Sequence, residues 1–488
     1  MQPVNRLPQE IISHIAECVR TASNYPFTKQ IIPLTHVCQY WREAIISAPT
    51  NWTSISYYPI GLIGLSLERS KAAPLRLSLC MWRNSRFRDL ITPRIQSIET
   101  LRCYALDVVE SFTQMFPNFP RSTPNIRSLE LNHCHLARGA WNMSIDPFGP
   151  FPRTMNALSL EDIPLYPSFL ELGTLTKLNL HYGVVRPSLD AILDLLSGNC
   201  SLEHVDLMIE FRKFPAPVSQ RREVIMNRLQ RLSITCWDAR IARHLISSIP
   251  LRSGVHLKIS LHSEQASFGL KDILSGISTT HLLNLAPSTF MEYRSPDYIQ
   301  LKGPNGSLSY SRGWSGRDFL PGVSFMKFPD LNITNVQEFR FVHSGLPIVF
   351  HPLSFPALET FTIERDAYPS HLLFALLSNP SASPLLKTLK FWDCTLTETF
   401  MDELSQFASD RKNIASARLD RVVIAHRDGK LPSVDSIQKL GKHVPVVEVG
   451  TGMDQPMDLA LLGCHPDRAT DPFLARMYTP MAHPSTIT

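Results

Sequence analysis

"TLTKLNLHYG", residues 174–183, sets Leu175, Leu178 and Leu180 in one order: apolar, two variable, apolar, one variable, apolar. The same order returns in "NIRSLELNHC" (125–134), "TMNALSLEDI" (154–163), "SLEHVDLMIE" (201–210) and "RLQRLSITCW" (228–237). It returns again in "NVQEFRFVHS" (335–344), "ALETFTIERD" (357–366) and "LLKTLKFWDC" (385–394). "IETLRC" (98–103) reads as an earlier copy and "LDRVVI" (419–424) as a later one. The last two apolar positions flank a polar one, which is the period of a strand with one buried face.

The middle apolar residues, Leu129, Leu158, Leu178, Val205 and Leu232, then Phe339, Phe361 and Leu389, recur at steps of about 20 to 29 residues, the period of a leucine-rich repeat. Helical spacing precedes several copies. "PSLDAILDLLSGN" (187–199) puts Leu189, Ile192, Leu193, Leu195 and Leu196 on one face before a Gly198-Asn199 stop, and "SHLLFALLSNP" (370–380) repeats the design. One strand and one helix cannot bury their apolar faces alone; stacked copies can. The expected fold is therefore α/β: a solenoid of parallel strands on the concave side and helices on the convex side. The competing reading is an ordinary α/β domain whose strands look alike.

Composition agrees with a folded chain. It has 488 residues, 44% hydrophobic and 19% charged, with a mild net charge of +5. Neither nucleic acid nor a membrane is called for by these values, and no run of about 18 apolar residues occurs. Nine dispersed cysteines without a CxxC pair read as reduced thiols, and a cytoplasmic or nuclear location is expected. From about 263 to 331 no clean copy is found. "YIQLKGPNGSLSYSR" (298–312) reads there as two strands about a Pro304-Asn305-Gly306 turn.

Ahead of the repeats stands "LPQEIISHIAECV" (7–19), with Ile11, Ile12, Ile15, Ala16 and Val19 on one helical face. "LTHVCQYWREAIISAPTNWTSI" (34–55) follows, and its Leu34, Val37, Cys38, Trp41 and Ile45 form a second helical stripe. Helices this short have little interior of their own, so some of that apolar surface should be covered by something else. Leu7-Pro8, Glu10-Ile11, Ile15, Val37-Cys38, Trp41-Arg42, Ala44, Pro49 and Trp52 occur in the order of an F-box. The chain resembles fungal F-box proteins with leucine-rich repeats, over roughly residues 4–57. One departure is the polar linker "TASNYPFTKQ" (21–30) between the two halves.

The resemblance implies a short all-α three-helix module at 1–57; the repeats themselves read as a solenoid over 58–450 with an irregular insertion at about 263–331, and the proline-bearing end as a loosely ordered tail at 451–488. It also implies a non-catalytic substrate receptor of a Skp–cullin–F-box ubiquitin ligase. Leu7, Pro8, Ile11, Ile12, Ile15, Leu34, Val37 and Trp41 would meet the Skp adaptor, and through it a cullin scaffold. An unidentified protein target would lie on the repeats. The residues between the last two apolar positions give its expected contact ladder: Glu130, Ser159, Asn179, Asp206, Ser233, Arg340, Thr362 and Lys390. Early rungs are neutral or acidic and two late ones basic, a bipolar surface. Trp237 and Trp392 lie just beyond their strands as rim candidates.

No catalytic residue, cofactor or metal is expected. His426-Arg427-Asp428 lacks the Asn of a kinase loop, since Ser433 stands five residues on. His133, Cys134 and His135 alternate faces on a strand and cannot share one metal. A second function class stays open: a repeat scaffold without a ligase role, its leading helices serving only as a solenoid cap.

Overall fold

The computed structural model describes residues 7–21, 28–56, 60–80, 85–105, 116, 123–133, 151–170, 172–210, 223–262, 290–294, 298–303, 306–312, 335–342, 355–365, 383–413, 418–426 and 431–450. The tail at 451–488, the helix expected at 370–380, Pro304-Asn305, Cys134, His135 and the Arg427-Asp428 pair lie outside them. The chain parts into two compact units between Ser47 and Ala48.

The first unit holds α1 (Gln9–Thr21), 3-10 turns at Thr28–Ile31 and Pro33–His36, and α2 (Gln39–Ser47). Pro8 precedes α1 and its carbonyl accepts from the Ile11 and Ile12 N–H groups. Ile12 and Ala16 on α1, and Trp41, Ala44 and Ile45 on α2, are buried where the two helices pack together. Tyr40 Oη donates to the Leu7 carbonyl at 3.0 Å and ties the start of α2 to the start of α1. The single stripe expected from Leu34 to Ile45 is broken. Pro33 opens a tight turn, Thr35 Oγ1 closes it on the Ile32 carbonyl at 2.7 Å, and the helix restarts at Gln39. The narrower turn shifts the phase, so Val37 points to solvent while Trp41 and Ile45 stay inside.

The second unit is mixed α/β, built on one large and mostly parallel sheet, a form compatible with a repeat solenoid. Its strands are β1 (Ser54–Ser56), β2 (Leu75–Cys80), β3 (Ile98–Ala105), β4 (Ser128–His133), β5 (Ala157–Glu161), β6 (Lys177–Tyr182), β7 (His204–Ile209), β8 (Arg231–Cys236) and β9 (His256–Leu261). They continue with β10 (Phe290–Arg294), β11 (Tyr298–Gly303), β12 (Gly306–Arg312), β13 (Glu338–Val342), β14 (Thr360–Glu364), β15 (Thr388–Trp392), β16 (Arg421–Ala425) and β17 (Val446–Gly450). Strand β1 pairs with β2, so Ser54–Ser56 are part of the sheet.

The apolar triads fall into register. Ile55, Leu77, Leu101, Leu129, Leu158, Leu178, Val205, Leu232 and Leu257 pair in sequence from β1 to β9. Phe339, Phe361, Leu389, Val422 and Val447 do so from β13 to β17. Leu178 and Leu180 are essentially without solvent exposure, as are their counterparts in the other recognised copies. Each such leucine contributes about 1.5–3 kcal/mol through apolar burial. Helical crossovers include α3 (Ile60–Arg69), α4 (Ser85–Ile91), α5 (Leu189–Gly198), α6 (Ala239–Ser248), α7 (Glu398–Lys412) and α8 (Val434–Gly441). All five apolar residues expected on the face of α5 are buried. Gly198, the last residue of that helix, leaves no room for a side chain, because a Cβ there would lie 1.9 Å from the Leu170 carbonyl oxygen. Asn199 then folds back, donating to the Leu195 carbonyl at 2.7 Å.

Three devices not read from the sequence hold neighbouring copies in step. The polar residue before each early triad reaches back one copy: Asn125 to Gln96, Thr154 to Ile126, Thr174 to Met155 and Ser201 to Gly173, each donating to a carbonyl at 2.8–2.9 Å. Asp162, Arg365 and Asp393, just past β5, β14 and β15, take positive φ of 51°, 56° and 50°. Their N–H groups donate to the carbonyls of His181, Trp392 and Ala425 on the next copy. Asp162 is buried, and its Oδ1 accepts from the N–H groups of Gly183, Val184 and Val185 at 2.7–3.0 Å.

The centre departs from the parallel order. β12 lies parallel to β9, β11 runs antiparallel between β12 and β10, and β10 lies parallel to β13. The β11–β12 pair is the two-strand arrangement expected around Gly306; β10 was not foreseen. The register line still passes through, pairing Leu257, Leu308, Leu301, Met291 and Phe339 strand to strand.

Candidate functional site

Alternation along each strand sends the residues between buried ones to the other face of the sheet. Glu130, Ser159, Asn179, Asp206 and Ser233 pair strand to strand as one row, as do Arg340, Thr362 and Lys390. The row between them runs through Lys258, Ser309, Gln300 and Glu292. It starts with Ser56, Ser78 and Arg102 and ends with Val423 and Glu448. Asn179 and Asp206 are exposed, Glu130, Ser159, Arg340 and Lys390 half-buried, Ser233 and Thr362 buried.

The bipolar reading of that row is weakened by neighbours outside the expected set. Glu130 meets Arg102 at 2.9 Å and accepts from Tyr104 Oη at 2.9 Å. Arg340 pairs with Glu364 on the next strand, and Glu364 also faces Arg365 at 3.6 Å. Charge is thus cancelled locally at one early and one late rung. Trp237 and Trp392 are half-buried, and Trp237 packs against the His262 ring at 5.8 Å.

A parallel outward row holds a histidine between two acids. His181 Nδ1 lies 3.0 Å from Glu161 and its Nε2 lies 3.3 Å from Glu210. Burial works to lower its pKa, but the hydrogen bonds and charges of both carboxylates outweigh it and raise the value from 6.5 to about 9. The ring is a standing cation that links β5, β6 and the end of β7. Cys103 and Cys236 are buried; burial raises both thiol pKa values, that of Cys236 to about 12, which keeps them protonated and unreactive. Among the described residues no group of three His, Cys, Asp or Glu is arranged to hold a metal, and no helix is long and apolar enough to cross a membrane.

The helical unit offers a different surface. Of the residues expected to meet an adaptor, Ile11 is 45% and Val37 51% exposed, and Pro8 is exposed as well. Leu7, Ile15 and Leu34 are half-buried. Ile12 and Trp41 are buried, so they shape this surface from beneath and do not form it. The Tyr40–Leu7 hydrogen bond sets the Pro8–Ile11 turn and the Val37 corner at the same end of the helix pair.

No protein-family model matches the chain, and no curated protein matches it. Among solved structures it is similar to the leucine-rich repeat-containing protein LegL7 from Legionella pneumophila, at 12% identity and a TM-score of 0.22, over 69% of this chain and 85% of that one.

Proposed function

We propose that the chain is a substrate receptor: an F-box-like helical unit that docks on a Skp adaptor, followed by a leucine-rich-repeat solenoid that holds a protein target. Its role is positioning. Tethering a target beside a ligase raises the effective concentration of its lysines near the ubiquitin carrier, and no side chain of this chain acts as acid, base or nucleophile. The observation that carries the reading is the exposure of Ile11 on α1 and of Val37 at the turn before α2, beside the buried Ile12, Ala16, Trp41 and Ile45. A pair of large apolar side chains left in water at one end of so small a unit favours a foreign subunit as their cover. The F-box spelling of residues 7–52 names the kind of subunit.

The test is co-purification of the full chain with the Skp adaptor. Capture is expected, and Ile11→Asp with Val37→Asp should abolish it while the sheet signal in circular dichroism is unchanged. A folded chain that ignores the adaptor sinks the reading. The scaffold alternative then takes over. It is favoured by the burial of Ile12 and Trp41, which an interior cap uses as readily as a docking module.

A further inference from the structure

The two ends of the sheet are finished differently. At its start β1 pairs only with β2 among the described residues, and Ser54, Ile55 and Ser56 are all buried. At its other end β17 pairs only with β16 among the described residues. Its outward Val446, Glu448 and Gly450 are exposed. Its core-side Val447 and Val449 are half-buried, whereas their partners Val422 and Ile424 on β16 are sealed. The row closed on β16 is thus left half closed on β17. Proteins blunt an open edge of this kind with proline, lysine or a bulge. Strand β17 carries none of these from Val446 to Gly450.

The backbone there defines what can close it. Val446 N–H donates to the Asp420 carbonyl at 3.1 Å, and His426 N–H donates to the Gly450 carbonyl at 3.3 Å. In a parallel ladder alternate residues hold the neighbouring strand. The N–H and C=O groups of Val446, Glu448 and Gly450 therefore face β16, and those of Val447 and Val449 point away from it. These two N–H and two C=O groups bond to no other described residue. Donors and acceptors in such a line are matched by another extended backbone. A second copy of β17 fits badly. An antiparallel pair centred on Glu448 sets that carboxylate against its own counterpart, and like charges directly opposite destabilise. A pair centred on Val447 sets Pro445, which has no N–H, against Val449.

We propose that β17 takes up an extended segment of the target as a further strand, held by the N–H and C=O groups of Val447 and Val449. The inference rests on the receptor reading only in calling the partner a target. The chemistry of the segment follows from the strand it meets. Side chains alternate between the two faces, so every second residue is apolar and covers Val447 and Val449. The residue between them lies beside Glu448, whose carboxylate Arg421 already holds at 2.6 Å, so a neutral polar side chain suits it. Proline is excluded wherever an N–H must face β17.

Fluorescence anisotropy of the full chain with a short labelled peptide of alternating valine and threonine tests it. Binding is expected. Two N-methylated forms are compared with it, one blocked at every valine amide and one at every threonine amide. One form should lose about tenfold or more in affinity, as the loss of facing hydrogen bonds requires, and the other should keep most of it. Loss on the valine form reads an antiparallel strand, loss on the threonine form a parallel one. Val447→Pro removes an outward N–H without touching the bonds to β16, so it should weaken binding while circular dichroism is unchanged. Hydrogen exchange of the native protein gives a readout that needs no variant: the Val447 and Val449 amides should gain protection when the peptide is bound. No binding, the same response to both N-methylated forms, full binding by a folded Val447→Pro variant, or an unprotected β17 overturns the inference. Adaptor capture, run on the same preparations, separates the two readings: lost capture with retained peptide binding removes the receptor role alone.

Discussion

The helical unit and the repeat sheet handle apolar side chains in opposite ways. In the sheet every recognised triad is sealed, each leucine meeting its counterpart on the strands before and after. In the helical unit the inner positions, Ile12, Ala16, Trp41 and Ile45, are sealed, while Ile11 and Val37 stand about half in water. A repeat copy has its triad covered by its neighbours, and the large apolar residues left exposed in the sheet unit, among them Val184, Ile225, Leu385 and Val434, lie outside the triads. The two short helices keep Ile11 and Val37 exposed at the end where Tyr40 ties them together. The lesson is that repetition makes burial in the sheet readable from spacing alone, whereas in the helices the inner and outer apolar residues separate only once the turn at Pro33 is seen.

Five substitutions sharpen or break that contrast. Leu180→Ala, between Leu160 and Leu207, should cost about 3 kcal/mol of stability, because an interior locked on both sides collapses little around a cavity. Urea unfolding of the variant measures it, and a change under about 1 kcal/mol would contradict the sealed interior. Asp162→Ala removes the acceptor of three N–H groups and should cost about 2 kcal/mol in the same assay. A neutral result would mean that water replaces the carboxylate.

His181→Gln reports through pH. The folded value of about 9 lies above the ordinary 6.5, so the charged ring's contribution is complete below pH 6.5 and is lost as pH rises through 9. The native protein should therefore lose stability across that window, and the variant should lose less. Identical slopes would exclude His181 as the cause. The smallest effect belongs to the helical unit. Ile11→Asp and Val37→Asp should shift stability by no more than about 0.5 kcal/mol, as exposed positions do, while removing adaptor capture. A large stability loss would place both residues in an interior.

Much of the sheet was legible because one period of burial repeats. The triads from Ile98 to Phe391 needed only the spacing of their leucines and phenylalanines. Strands β2 and β9 escaped because Pro74 and Gly254 stand where a copy has its leading apolar residue; β1 and β17 keep that residue, as Trp52 and Val444, and the same spacing would have found them. Thr154, Thr174 and Ser201 were hidden for another reason: a hydroxyl before a strand looks like any loop residue until the preceding copy's carbonyl is seen opposite it. The target row was legible in position but not in charge. Arg102 and Glu364, which neutralise Glu130 and Arg340, sit at offsets that only strand pairing reveals. The unbroken helical stripe from Leu34 to Ile45 was misread because a proline turn changes helical phase without changing composition.

The reversed central strands bear on how the chain finds its form. Strand β9 takes β12 as its next neighbour, joining His256 to Ser307, while β10 waits beside β13. A nascent chain therefore leaves the β9 edge open through β10 and β11, until β12 arrives to close it. We expect assembly to proceed as two separate zippers joined by a late clasp. Pulsed hydrogen exchange would read this as β11 and β12 gaining protection after β4–β8; simultaneous protection would refute it.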